Sequence, residues 1–228
     1  MNEESRYDIN CAKCPKTVCN SAAFMKGPEN CPTKVEADVI KKAMSRYHNP
    51  QIAEFARIAS IVEGEAYMKT PGAPDTMSPL TTRLEEIINF ARKMGYKKLG
   101  VALCIGLMNE ARILISILEN KGFNVISVCC KTGGIAKEEI GVKDEEKIRP
   151  GKHETMCNPI SQAEILNKAG CDFNILLGLC VGHDALFLKH AKALTTVFVV
   201  KDRLLGHNPV AALYLSSSIY YRRLLAKD

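Results

Sequence analysis

The pattern of hydrophobic and polar positions divides the chain into a helical first part and a second part in which strands and helices alternate. Between Val35 and Met68, apolar residues recur at the helical period, which predicts two helices separated at Asn49-Pro50. Residues 69–79 contain three prolines and a glycine. We expect them to form a linker.

After the linker, four short apolar runs alternate with amphipathic helices, and the chain closes with a predicted helix over residues 210–225. Strands that are apolar on both faces and alternate with helices indicate a parallel sheet covered on both sides. The predicted fold class is therefore α/β, with a four-stranded parallel Rossmann/flavodoxin-like sheet of order 2-1-3-4 and helices on both faces. The predicted strands cover residues 97–104, 123–130, 173–180 and 195–200.

The predicted organisation has three parts. A cysteine-rich, metal-binding segment covers residues 1–35, a helical segment covers 36–70, and the α/β domain covers 80–228. The first segment has too few large apolar residues to fold around a core of its own.

The composition is that of an ordinary globular protein, with 46% hydrophobic and 25% charged residues among 228. No apolar run approaches the roughly 20 residues of a membrane span, and the polar start MNEESRYD has no signal region. We therefore expect a cytoplasmic protein without a membrane partner. The net charge of +6 is scattered, which argues against nucleic acid as a partner.

Ten cysteines change this picture, because thiols at this density in a reducing compartment usually bind metal or perform chemistry. The spacing C-x2-C-x4-C-x11-C near the N-terminus fits a tetrahedral site. Structural zinc and an iron–sulfur cluster both suit such ligands. The alternative is a set of unrelated reduced cysteines. The predicted ligands of this first site are Cys11, Cys14, Cys19 and Cys31.

A second metal site is predicted where the strands of the sheet end. Cys104 ends the first strand and Cys180 the third, and these strands are neighbours in the order 2-1-3-4. Cys157 lies in the long segment that leads to the next helix, so we expect it at the same edge. Three thiolates would leave one coordination position open for a substrate. Cys129 and Cys171 are expected to be packing residues.

The segment GLCVGHD (178–184) is the densest local signal for chemistry. Its glycines allow a sharp turn around Cys180, and a helix N-terminus favours a thiolate there. We expect Cys180, His183 and Asp184 to be catalytic, with Asp184 also capping the helix. The alternative is a plain junction between strand and helix.

Residues 200–209 crowd charged side chains into one loop at the same edge. Lys201, Arg203 and His207 are predicted to bind a small anionic substrate. The alternative is a solvated turn.

The sequence resembles a prokaryotic family of unknown function, whose members are described as predicted metal-binding proteins. The resemblance implies a cysteine-rich metal-binding protein with the four N-terminal cysteines as its first site, and it implies no reaction. It rests on that cysteine set and on LCIGL (103–107), MCNPISQAEILN (156–167), GLCVGHD (178–184) and VKDR…HNP (200–209).

Two functions follow from these patterns. The first is a metal-dependent protein, holding zinc or a 4Fe–4S cluster, that performs redox or sulfur chemistry on a small anionic substrate or with a redox partner. The second is a non-catalytic zinc-binding or metal-sensing protein with only the structural four-cysteine site. Whether the protein is an enzyme, and its oligomeric state, are left open by the sequence.

Overall fold

The computed structural model describes residues 9–227, apart from the side chain of Pro74. The first eight residues of the predicted cysteine-rich segment lie outside this range. The chain divides into two compact units, the first ending at Ile61 and the second beginning at Val62. None of the helices described here is long and apolar enough to cross a membrane.

The first unit begins with three short 3-10 turns; the first contains Cys11 and the second contains Cys19, whereas Cys14 and Cys31 lie outside them. Helices α1 (Pro32–Val35), α2 (Ala37–Ser45) and α3 (Pro50–Glu65) follow. Among residues 9–61, only Gly27 and Ile58 are buried. The segment around the cysteines therefore has no hydrophobic core that would fix its loops.

The predicted linker is a hairpin, so that expectation was wrong. Strands β1 (Tyr67–Thr70) and β2 (Ala73–Pro79) pair in antiparallel register, with Thr70 opposite Ala73. The turn between them is Pro71-Gly72, and Gly72 has a φ of +77°. Proline followed by a glycine of positive φ suits a type II turn, so these residues connect paired strands instead of ending regular structure.

The elements of the second unit after the hairpin begin with α4 (Arg83–Lys93), β3 (Lys98–Leu103), α5 (Met108–Asn120), β4 (Asn124–Cys129), α6 (Pro159–Ala169), β5 (Phe173–Leu177), α7 (His183–His190) and β6 (Thr195–Val199). The last four strands form one sheet, in which all strands are parallel and the order is β4-β3-β5-β6. This order confirms the predicted fold class. Right-handed crossovers place α5 on one face and α6 and α7 on the other, because the chain leaves β3 in one direction and returns past it to β5.

The predicted C-terminal helix is also wrong in its length. Helix α8 covers only Val210–Tyr214, and a separate 3-10 turn covers Arg222–Leu225. The Ser216 hydroxyl donates to the Leu213 carbonyl at 2.8 Å, which is the acceptor that a continuing helix needs. Such side-chain bonds compete with the helical ladder.

The long polar segment between β4 and α6 is held by ion pairs. Lys147, whose side chain is 3% exposed, lies 2.8 Å from the Glu138 carboxylate and 2.6 Å from that of Asp144. Lys137 lies 2.6 Å from the Glu154 carboxylate. Hydrogen bonds from these lysines lower the pKa of all three carboxyl groups. The segment is therefore ordered by charge in place of apolar packing.

Acid should release this segment before the sheet. Because the folded-state pKa of each carboxyl lies below its ordinary value near 4, the ion pairs contribute fully above that pH. Their contribution is lost as the pH falls through the lowered values. We expect hydrogen exchange in residues 131–158, corrected for intrinsic rates, to rise on acidification while β3 and β5 stay protected.

The Lys147→Met variant supplies the check on this prediction. It should lose protection in the segment already at neutral pH, whereas Lys152→Met, an exposed neighbour, should behave as wild type. Equal protection in both variants would show that the ion pairs do not order the segment.

Candidate functional site

The register of the parallel sheet brings three strand ends to one level. Leu103 of β3 is paired with Cys129 of β4 and with Leu177 of β5. The ladder continues one residue further, because the Cys130 amide donates to Leu103 at 2.9 Å and the Cys104 amide donates to Leu177 at 3.0 Å. Cys104, Cys130 and the residue after Leu177 therefore lie side by side at the carboxyl edge.

Three thiols meet at this edge and form what we term the three-thiol cluster, Cys104, Cys130 and Cys157. The Cys130 thiol lies in the middle and hydrogen-bonds to the other two. It also accepts from the Ile105 amide at 3.4 Å. Cys104 and Cys130 are buried, and Cys157 is half-buried.

The start of α6 holds Cys157 against the strand ends. The Asn158 amide donates to the Cys130 carbonyl at 2.8 Å, and the Asn158 side chain caps α6 by accepting from Ser161 at 3.0 Å. The fully buried Gln162 donates to the Leu103 carbonyl at 3.1 Å and to the Val128 carbonyl at 2.7 Å. The motif around Cys157 thus joins α6 to the ends of both β3 and β4.

The cluster favours thiolates at its two outer positions. Hydrogen bonding to Cys130 is the main cause that lowers the pKa of Cys104 to about 5 and that of Cys157 to about 5. Lys201 contributes beside Cys104, and Lys131 contributes beside Cys157. The same hydrogen bonds raise the pKa of Cys130, which keeps the proton.

Cys180 has a different partner. Arg203 donates from Nη2 to its Sγ at 3.0 Å, and this bond raises the pKa of Arg203. The charges of Cys104 and Cys157 act on Arg203 in the same direction, so this guanidinium lies within the field of the cluster. Cys180 is half-buried.

The turn that carries Cys180 depends on Gly178. This residue has a φ of +69° and ends β5 three residues earlier than the sequence predicts. A Cβ at this position would lie 2.1 Å from Cδ1 of Leu107 and 3.7 Å from Cε of Lys201. Only glycine therefore fits between the first turn after β3 and the lysine of the site.

Helix α7 begins at His183 with Gly182 as its N-cap, so the prediction that Asp184 caps it was wrong. The Asp184 carboxylate instead accepts from the amide of Ala185 at 2.8 Å. His183 lies close enough to Cys157 to lower the pKa of that thiol. Its Nδ1 is buried and has no hydrogen-bond partner among the described residues. His183 thus presents a buried nitrogen with an unused bonding position.

The loop after β6 is closed by its own polar groups. The Asp202 carboxylate accepts from the amides of Leu204 and Leu205 at 3.0 and 2.8 Å. His207 accepts on Nδ1 from the Asp202 amide at 3.2 Å. Lys201 bonds to Cys104, and Arg203 bonds to Cys180. His207 therefore closes the loop that presents both cations.

The four N-terminal cysteines line one cavity of about 290 Å³ in the first unit. Thr17, between Cys14 and Cys19, has a φ of +41°, and a Cβ on Gly27 would lie 3.2 Å from the Cys31 sulfur. A hydrogen bond with Thr33 lowers the pKa of Cys31. The lining cysteines are Cys11, Cys14, Cys19 and Cys31.

Sequence reasoning missed Cys130 and Lys131 as site residues. Cys129 ends β4 and Cys130 follows it, and only the register shows that Cys130 is level with Cys104. Alternation along the strand then turns Cys129 to the opposite face. The signal was present in the pair of adjacent cysteines, but choosing between them requires the pairing partner.

The donor set suits a soft metal ion or an iron–sulfur cluster, because thiols predominate and the buried Nδ1 of His183 is available. Among residues 9–227, however, no group of three or more Cys, His, Asp and Glu side chains is arranged to hold a metal ion. Binding would therefore require rotation of these side chains and loss of thiol protons.

The fold and its edge define a parallel α/β protein with a cysteine-lined site at the carboxyl ends of its strands. A family model described as "Protein of unknown function (DUF1847)" matches residues 31–198. The chain is 44% identical over 217 residues to the uncharacterized protein MJ0455 of Methanocaldococcus jannaschii, covering 95% of this chain and 98% of that protein. The protein belongs to the DUF1847 family. The resemblance to a prokaryotic family of unknown function is thus confirmed, and metal binding stays a prediction.

Replacing Gly178 tests whether this turn holds the site together. Gly178→Ala should lower the free energy of unfolding by more than Gly182→Ala. Both positions have positive φ, which costs an alanine about 1–2 kcal/mol, but only Gly178 also meets the buried Leu107. Urea unfolding of both variants measures the difference. Equal losses would show that Leu107 moves aside without cost.

Proposed function

We propose that the protein is metal-dependent and holds an iron–sulfur cluster or zinc at the cysteine-lined edge of its sheet, where it performs redox or sulfur chemistry on a small anionic substrate. The observation that carries this proposal is the three-thiol cluster. Its members come from three separate parts of the chain and hydrogen-bond to one another at the edge where ligands bind in such sheets.

The thiols at this edge are the donors that such a group requires. Cys104, Cys157 and Cys180 are the predicted ligands; Cys130 hydrogen-bonds to the first two, and Cys180 is paired with Arg203, on which the charges of Cys104 and Cys157 also act. Three thiolates on one centre leave a coordination position for a substrate. An iron–sulfur cluster bound there would supply electrons or an open iron, and zinc would supply a Lewis acid.

Cations around the thiols support an anionic substrate. Lys131 and Lys201 approach the cluster from different elements, and Arg203 faces it from the loop after β6. Arginine and lysine bind carboxylate and phosphate-like groups through charge-assisted hydrogen bonds. We assign proton transfer to His183, because its buried Nδ1 has no hydrogen-bond partner among the described residues and its charge acts on Cys157.

Anaerobic metal and sulfide analysis of the full chain tests this function. We expect two metal centres per chain in the wild type. Cys157→Ser should lose one of them, and Cys129→Ser, a control from the end of β4, should keep both. An iron–sulfur cluster would also give a brown protein whose colour bleaches on reduction. A wild type that binds no metal beyond the N-terminal site would contradict the proposal.

A second candidate is a protein whose metal is a structural zinc in the first unit only. It is favoured by the cavity of about 290 Å³ that all four N-terminal cysteines line, in a segment with almost no buried side chains. Structural zinc sites supply folding energy where the apolar core is small.

Removal of metal distinguishes the role of this N-terminal site. We expect a chelator to make residues up to 35 sensitive to protease while the sheet domain beyond residue 80 survives, because only the first segment depends on metal for its order. Cys11→Ser should cause the same cleavage without chelator, whereas Ser21→Ala, outside the cavity lining, should not. Persistent protection in metal-free protein would refute the site.

A further inference from the structure

Cys130 has contacts that packing alone does not explain. Its thiol is 2% exposed and hydrogen-bonds to Cys104, to Cys157 and to the Ile105 amide. Cys171 lies in the same cluster of buried hydrophobic residues as Cys130, but the leading cause that raises the pKa of its thiol is burial. A buried cysteine used for packing needs no sulfur partner. Cys130 has two.

The backbone fixes Cys130 between its partners. Its amide is bonded to β3 through Leu103, and its carbonyl is bonded to the start of α6 through Asn158. The residue therefore joins the strand end that carries Cys104 to the helix start that carries Cys157. The backbone of Cys130 is thus fixed from both sides, whereas the three thiols still have to rotate before they can share a metal ion.

Cys180 is held outside this group. Its sulfur is paired with Arg203 at 3.0 Å, and the register places Gly178, two residues earlier, level with Cys104. To bind a metal together with the cluster, the Cys180 sulfur would have to break its hydrogen bond with Arg203. The guanidinium would then be left without this partner. Breaking a charged hydrogen bond of this kind is costly unless it is replaced.

We infer that Cys104, Cys130 and Cys157 are the ligand set of the edge site, and that Cys180 is a free thiol paired with Arg203 at its open side. This assignment rests on the proposed function and replaces Cys180 by Cys130 among the predicted ligands. The group bound would be a thiophilic ion or cluster with three protein sulfurs. The fourth position would face Cys180, Arg203 and the small anion.

Zinc is the probe for this assignment. Metal-stripped full chain is reconstituted anaerobically with Zn²⁺, freed of excess ion and analysed for zinc per chain. The wild type should retain two equivalents. Cys130→Ala should retain one, whereas Cys180→Ala should retain two, as should Cys171→Ala, a matched buried cysteine from the same hydrophobic cluster.

Alkylation of the wild type gives a second readout that needs no variant to fold. Iodoacetamide is applied with and without Zn²⁺, and the labelled peptides are identified by mass spectrometry. Zn²⁺ should protect the half-buried Cys157 by at least about tenfold and leave Cys180 reactive in both samples.

The outcomes distinguish failure of the proposed function from failure of the ligand assignment. Wild type with only the N-terminal equivalent would overturn the proposed function, and this assignment with it. Two equivalents in Cys130→Ala, or loss of one in Cys180→Ala, would overturn only the ligand assignment. Protection of Cys180 by Zn²⁺ would do the same. If Cys130→Ala does not fold, the alkylation pattern of the wild type decides.

Discussion

The central position of β3, paired on one side with β4 and on the other with β5, decides where the chemistry of this protein can lie. Because the register continues beyond the last ladder pair, the residues that follow the three strands share one level. Two of these residues are Cys104 and Cys130, and the third is Gly178. A shift of one residue in either pairing would turn a cysteine to the opposite face. The thiol site therefore depends on strand register more than on any single contact.

The position of the third thiol, in the polar segment before α6, depends on contacts with residues that are distant in the sequence. Cys157 lies almost thirty residues beyond Cys130, yet Asn158 and Gln162 tie it to the ends of β3 and β4. Ion pairs such as that of the buried Lys147 hold the intervening chain. A segment ordered by charge can change its order without disturbing the apolar sheet, so the third thiol is the member of the cluster whose position is most easily altered.

The sequence predicts the elements that hydrophobic periodicity governs and misses those that local polar geometry governs. Strands that are apolar on both faces predict a parallel sheet covered by helices, and the flavodoxin-like order expected for such a sheet is the observed one. The hairpin at Pro71-Gly72 was missed because the same residues also end regular structure. Asp184 was expected to cap α7, but the positive φ of Gly182 moves the helix start by two residues. Cys130 could not be chosen over Cys129 without the pairing register.

Charge connects the thiols to the cations that surround them. Without metal, Cys130 keeps its proton, so Lys131 and Lys201 balance the two outer thiolates. A bound divalent ion that displaces this proton would leave the cluster with one positive charge in excess, next to the guanidinium of Arg203. Because the charge of a bound metal dominates the local field, the same edge would attract a small anion more strongly when it is loaded. Metal binding and anion binding are then coupled by electrostatics alone, without movement of the sheet.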